Sequence, residues 1–490
     1  MSASSRGFAL SGIRLPWVVP AGLLAGLLYV GGMIKAPPWG GLLVLLLALV
    51  LVGAVFLLLR RIGLFLAVFL GFAVVAPLLS RVVGLPLGWA KGTFFLLALP
   101  FWALVKAPIL DRWSWPATVR LPFLCFLASA GLLGLLAGVS FFRGIDPLLV
   151  VDTVRGLLLY PPLVFLAAEA VGDLRAVTSF LTGILLACAV VAAGAVAQAL
   201  VGIELMTRLG VNLETWGLAY VALDPLSGKF FQRVFSVLDD QVALASFSLM
   251  GLALSLFFLE IDPRRGRRVL YGLVFALCTY SLILTYNMTV MIGTALFVLI
   301  LVWKRRSPRL LAVFLAVILA VAGLAWLHFG PLLKNRFVSS FSTEVGVSTS
   351  LVARIEENRR AVAMFAQDPV IGHGLGSTAS AGLYYRMGLS EGITGGIATD
   401  NYYMTTALEG GVIGLGAVLL LHLLPLWGLL RLGRSRCREY RILARIGTVW
   451  ALVLLLMNFS NAPMNTNPTN LLYWCLGGLA WRISGEGLSE

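Results

Sequence analysis

Hydrophobic residues in this chain fall in runs of about twenty, recurring along nearly the whole length and separated by short polar or basic breaks. Such a run crosses a bilayer core as a helix, and a helix satisfies its own backbone polar groups in lipid. The runs predict spans at 16–34, 39–59, 62–83, 92–110, 119–141, 147–170 and 174–202. They resume at 239–260, 268–286, 288–304, 309–328, 401–431, 444–460 and 467–483. The short alternating segments of a membrane β-barrel are missing from the pattern. The expected fold class is therefore all-α: a polytopic integral membrane protein of about 14 transmembrane helices, forming a single domain over 1–490. Two polar stretches interrupt it, 203–238 and 329–400, and the second has the spacing of a short helix at 351–367, with Leu351, Ile355, Val362 and Phe365 on one partly buried face.

Composition agrees with this picture: 60% of residues are hydrophobic, 12% are charged, and mean hydropathy is +0.95. The net charge of +15 changes it in one respect. Basic residues cluster between spans, at Arg60–Arg61, Arg264 to Arg268, Lys304 to Arg309 and Arg431 to Arg445. That is the pattern of cytoplasmic loops, not the continuous basic face that nucleic acid requires. With the N-terminus cytoplasmic, every dense cluster falls inside, an even span count returns the C-terminus inside, and loops 203–238 and 329–400 lie outside. In a bacterium the large loop then faces the periplasm or the outer surface. The N-terminal run lacks a small-residue cleavage site and reads as a retained span. The five cysteines are scattered without metal-ligand spacing, so neither a metal nor a disulfide framework is expected.

Chemistry concentrates in the outer stretches. Arg233 stands just before span 239–260. It either snorkels to headgroup phosphates or faces inward to hold a phosphate group, a task for which a guanidinium's fixed donors are suited. In the second loop Arg354 lies beside the apolar stripe, whereas Arg359 and Arg360 are placed to be solvated or to pair with Glu356. Asp368-Pro369 stops that helix, and Gly372, Gly374 and Gly376 follow in a flexible turn able to approach a ligand closely. His373 within it is more often structural than catalytic. Asp400-Asn401-Tyr402 opens span 401–431. Asp400 is either an N-cap or a carboxylate placed to take a proton from a sugar hydroxyl. Glu409 deeper in this span, and Arg155 within 147–170, need a partner or a water-filled cavity. Asn287 and the polar run 459–470 are ordinary loops or the lining of such a cavity.

Taken in order, Arg233, the helix led by Arg354, the turn P369-V-I-G-H-G-L-G376 and D400-N-Y-Y-M-T-T-A-L-E-G-G-V-I-G-L415 resemble the O-antigen ligase and polymerase family of bacterial envelope glycosyltransferases. The resemblance covers about 230–430. It implies a helical fold of the C type in the bacterial inner membrane with a large periplasmic loop. It also implies transfer of a glycan from undecaprenyl diphosphate without metal, nucleotide or other cofactor. The acceptor would be another lipid-linked repeat in a polymerase, or lipid A-core in a ligase, with a chain-length regulator as a possible partner. Arg233 and Arg354 map to the arginines that engage the diphosphate, and Asp400 to the base. Arg359, Arg360, Asn401, Tyr402, His373, Glu409 and Arg155 are the further candidates for substrate contact. Asp400 stands where many ligases carry histidine, which is closer to the polymerase branch, and Thr285-Tyr286-Asn287 lacks the Ser-Arg often seen in relatives.

Three other classes fit a protein of this shape. A lipid or glycan transporter usually shows internal repeats and interrupted helices at midplane, and no pairing between halves is visible here. A non-catalytic scaffold would use the arginine-rich loop to dock a protein. A cell-wall glycan polymerase of the elongation type shares the lipid-diphosphate chemistry, but its motifs are absent.

Overall fold

The computed structural model describes residues 62–83, 117–170, 174–202, 221–223, 230–232, 234–238, 240–305, 349–378, 401–460 and 468–485, with single positions between 204 and 334. Its helices are α1 (Ile62–Val83), α2 (Ala117–Phe142), α3 (Pro147–Leu158), α4 (Leu163–Ala170), α5 (Leu174–Val201), α6 (Gln241–Ile261), α7 (Arg265–Leu284), α8 (Met288–Arg305), α9 (Thr349–Phe365), α10 (Tyr402–Leu432), α11 (Arg438–Met457) and α12 (Thr469–Gly485). Seven segments among the described residues are long and apolar enough to cross a membrane. The protein is helical and membrane-spanning, as its hydropathy requires. The expected spans 16–34, 39–59 and 92–110 lie outside the described residues, and 309–328 is described only at single positions.

The expected span 147–170 is present with those bounds, built of two helices because Pro161-Pro162 lack the N–H groups that would continue α3. A tight turn joins them, with Leu163 N–H donating to the Tyr160 carbonyl at 2.9 Å. Helices α7 and α11 begin at Arg265 and Arg438, several residues before the expected 268 and 444. Arginines at a span's end reach toward water along their stems, so charge does not stop a helix there. Finally, the first outer stretch contains an antiparallel hairpin, β1 (Val221–Leu223) with β2 (Phe230–Gln232), too short to give an alternating signal.

Helix α6 is the axis of the bundle. It is buried on nearly every side and packs against α5, α7, α8, α11 and α12. Helix α10 packs against α2, α9, α11 and α12, and α12 against α4. Trp450, Trp481 and Tyr473 are the largest side chains sealed in this core.

One end of the bundle gathers the basic clusters. Arg445 of α11 pairs with Glu260 of α6 at 2.6 Å. The Asp262 carboxylate between α6 and α7 accepts from Arg264 N–H at 3.0 Å and faces Arg267 at 3.4 Å, and these donors hold it below the usual carboxylate range. The opposite end carries Thr285–Asn287, Asn401, Asn458 and the 368–378 turn. Helix α8 is capped there by Asn287, whose side chain accepts from Val290 N–H at 3.2 Å.

Close approach of α4 and α12 depends on Gly478, where a Cβ would overlap the Val164 carbonyl and lie 2.9 Å from the Ala167 Cβ. Gly478→Ala should cost about 1–3 kcal/mol through overpacking. It should be read as a lower thermal midpoint of the detergent-purified protein; an unchanged midpoint would mean the two helices do not touch there.

Candidate functional site

The N-terminal third of α10 is not a continuous helix. Gly411 has φ +60° and ψ −161°, which breaks the chain between Glu409 and Val412. In an unbroken helix the N–H groups of residues 412 and 413 would bond to the carbonyls of 408 and 409. Here the turn after α9 supplies all four partners. The N–H groups of His373 and Gly374 donate to the carbonyls of Leu408 and Glu409 at 2.7 and 2.9 Å. In return, the N–H groups of Val412 and Ile413 donate to the carbonyls of Pro369 and Val370 at 2.9 and 3.3 Å. The turn is spliced into the helix.

Glycine makes the splice possible. Gly372 has φ +66°, and a Cβ on it would sit 2.5 Å from Gly411 N and 2.6 Å from the Leu408 oxygen. A Cβ on Gly411 would overlap the Val370 carbonyl. Gly374 and Gly376 also have positive φ. These glycines bring the turn close to other parts of the chain: Gly372 to the α10 backbone, Gly374 to the Ile145 and Ser140 side chains, and Gly376 to Leu149.

Side chains lock the turn from two directions. From the end of α2, Ser140 Oγ accepts from Leu375 N–H at 2.7 Å. Arg143 pairs with Asp368 at 2.7 Å and donates to the Gly372 carbonyl. From α10, the Glu409 carboxylate accepts from the Thr378 hydroxyl at 2.5 Å and from its N–H at 3.3 Å, with both residues buried. His373 puts Nε2 3.0 Å from the Met364 carbonyl, which closes the end of α9 over the turn.

The residues expected at the site distribute as follows. Asn401, not Asp400, caps α10: its Oδ1 accepts from the N–H groups of Tyr403 and Met404, each at 3.1 Å. Tyr402 is buried, with its N–H on the Asn458 carbonyl at 2.9 Å and its ring 5.4 Å from that of His422. Arg155 pairs with Asp152 one turn away on α3 at 2.5 Å. Arg360 pairs with Glu356 at 3.2 Å as its spacing suggested, and Arg359 is exposed. Arg354 lies in α9, but its side chain, like Arg233 and Asp400 altogether, is outside the described residues.

The face of α9 differs from expectation. Ile355 and Val362 point outward, while Ala361, Met364 and Phe365 turn inward beside Asn358. The helix is oriented by its covalent link to the spliced turn, which outweighs a weak apolar stripe. Ser140, Arg143, Asp368 and Thr378 went unrecognised as site-building residues. Asp368 is readable in sequence only as a helix stop, and nothing local marks Ser140, Arg143 or Thr378.

Among the described residues no cluster of three or more His, Cys, Asp or Glu side chains is placed to hold a metal. What the geometry provides is a hydrogen-bonded platform joining the end of α9, the 369–378 turn and the start of α10.

Residues 273–419 match the family model described as O-antigen ligase. That stretch takes in most of α7, α8, α9, the turn and the spliced part of α10, while Ser140 and Arg143, which lock the turn, lie outside it. No curated protein matches the chain.

Gly372→Ala should detach the turn, since the left-handed backbone costs about 1–2 kcal/mol for a residue with a Cβ and the contact with α10 adds to it. Hydrogen exchange at 369–378 should accelerate at least tenfold, whereas Gly416→Ala, where a Cβ meets nothing within 4 Å, should leave it unchanged. Equal exchange in Gly372→Ala and the parent would refute the splice.

Proposed function

We propose, from the O-antigen ligase segment carried by residues 273–419, that this integral membrane protein is a bacterial envelope glycosyltransferase working as an O-antigen or exopolysaccharide polymerase. The donor is a glycan on undecaprenyl diphosphate, and the acceptor is the hydroxyl of another lipid-linked repeat. The observation that carries this reading is the coincidence of the matched segment with a built platform. The turn at 369–378 and the start of α10 form one hydrogen-bonded unit, and Asp400 adjoins its cap. In this reading the protein lies in the inner membrane with both termini cytoplasmic, and loops 203–238 and 329–400 are periplasmic. The end of the bundle opposite the arginine clusters is the reacting face, as positive-inside orientation requires.

The chemistry follows from what a sugar diphosphate needs. The acceptor oxygen attacks the anomeric carbon as the bond to the diphosphate oxygen breaks, and undecaprenyl diphosphate leaves with the electron pair. Attack opposite the departing group inverts the anomeric centre. Arg233 and Arg354 stabilise the charge that develops on the diphosphate, since fixed guanidinium donors in a partly dry site need no reorganisation. Asp400 accepts the hydroxyl proton. No metal or cofactor enters the scheme. Transfer to lipid A-core, the ligase reaction, is the second reading and is favoured by the matched model's own description.

Arg233→Ala and Arg354→Ala should each lower transfer by about 10²–10³-fold while the protein stays in the membrane. Near-normal activity in either would reject the diphosphate clamp. Glycan size on a gel separates the two readings in a strain whose only copy is Asp400→Ala. Single repeats on lipid A-core without long chains indicate a polymerase, whereas free lipid-linked chains with a bare acceptor indicate a ligase.

A further inference from the structure

We propose that the arginine-bearing end of the bundle binds an anionic phospholipid, its phosphate on Arg265 and Arg268 and an acyl chain along Val269 and Leu273. The junctions at this end, 260–271 and 431–445, carry ten arginines, no lysine and three carboxylates. All three carboxylates are engaged inside the protein. Glu260 accepts from Arg445 at 2.6 and 2.8 Å, and Glu439 from the Cys437 thiol at 3.0 Å. Asp262 accepts from Arg264 N–H, the Tyr271 hydroxyl and Arg267 at 3.0, 3.3 and 3.4 Å. Eight of the ten arginines are exposed. A surface of one sign repels itself, and an anion laid against it removes that cost. A guanidinium, unlike an ammonium, meets a phosphate with paired donors.

The face of α7 selects a lipid over a soluble anion. Positions 265, 269 and 273 are four apart and so share one face, over about 12 Å of helix. Arg265 opens the membrane span Arg265–Leu284, and next along that face Val269 and Leu273 are 63% and 62% exposed. Arg268, one turn on from Arg265, has its Nε on the Asp262 carbonyl at 2.7 Å, which anchors the guanidinium and leaves its two amino groups for an outside anion. Asp262 thus holds both Arg267 and Arg268 at the edge of the apolar stripe. A free phosphate would use the arginines and ignore the stripe, whereas a phospholipid covers both. A zwitterionic headgroup brings its own cation against this face, so net negative charge is favoured.

The test titrates full-length protein in detergent with phosphatidylglycerol or phosphatidylcholine of equal chain length, read by native mass spectrometry. The parent should bind phosphatidylglycerol about tenfold more tightly than phosphatidylcholine. Arg265→Gln with Arg268→Gln should erase that preference, and Arg359→Gln, at the other end of the bundle, should keep it. Leu273→Gln should weaken phosphatidylglycerol about threefold by removing apolar contact. Both arginines are exposed, so the thermal midpoint without lipid should stay within about 2 °C of the parent. If the double variant does not fold, Arg265→Gln alone carries the test, with a loss of about threefold expected. Equal affinity of parent and arginine variants for phosphatidylglycerol would overturn the proposal, as would equal affinity of the parent for both lipids. Full displacement of phosphatidylglycerol by inorganic phosphate, with Leu273→Gln silent, would overturn it in favour of a soluble-anion site.

Discussion

A break in a membrane helix leaves carbonyls without donors and N–H groups without acceptors, and lipid offers neither. In α10 the carbonyls of Leu408 and Glu409 and the N–H groups of Val412 and Ile413 are in that position, and the turn at 369–374 answers each one. These four groups are therefore all paired. Each net hydrogen bond is worth about 0.5–1.5 kcal/mol, but leaving one unmade in a buried place costs more. The turn and the helix thus require each other. Neither the positive φ at Gly411 nor that at Gly372 has a local cause; each exists because the other segment passes there.

This exchange ties together the end of the bundle opposite the arginine clusters. The turn brings the end of α9 with it, through His373 on the Met364 carbonyl. It also draws in the end of α2, through Ser140 and Arg143. Chain segments more than two hundred residues apart are joined by the Arg143–Asp368 pair. That pair is partly solvated and adds little energy by itself, so its value is in orientation. At the opposite end Arg445 pairs individually with Glu260, and no comparable platform forms among the described residues.

Much of this was legible beforehand and some was not. Spans such as 174–202 and 239–260 were readable to within a residue or two, because twenty apolar residues in a row admit one structure in lipid. The motif residues of the turn and of α10 were readable as a group, and residues 273–419 match the family they resemble. Their mutual geometry was not. Three glycines within five residues predict mobility by local rules, yet each serves a close packing that another segment explains: α10 at Gly372, Ser140 and Ile145 at Gly374, and Leu149 at Gly376. Asp400 had the better local claim to the cap, but Asn401 holds it, because the start of α10 is also set by the bond from Tyr402 N–H to Asn458. Likewise α9 ignores its own apolar stripe at Ile355 and Val362, since a helix tied to a fixed turn has little rotational choice.

By itself the sequence determined the environment: hydropathy and the placing of charge dictate a helical membrane protein with basic clusters between its spans. Only the tertiary structure decided that Glu409 holds Thr378, that Arg143 belongs to the site, and that the glycine turn is part of a helix. The reason is physical. Partition into lipid depends on each residue's own side chain and adds along the chain, whereas a hydrogen bond between distant backbones depends on two segments at once and leaves no mark on either alone.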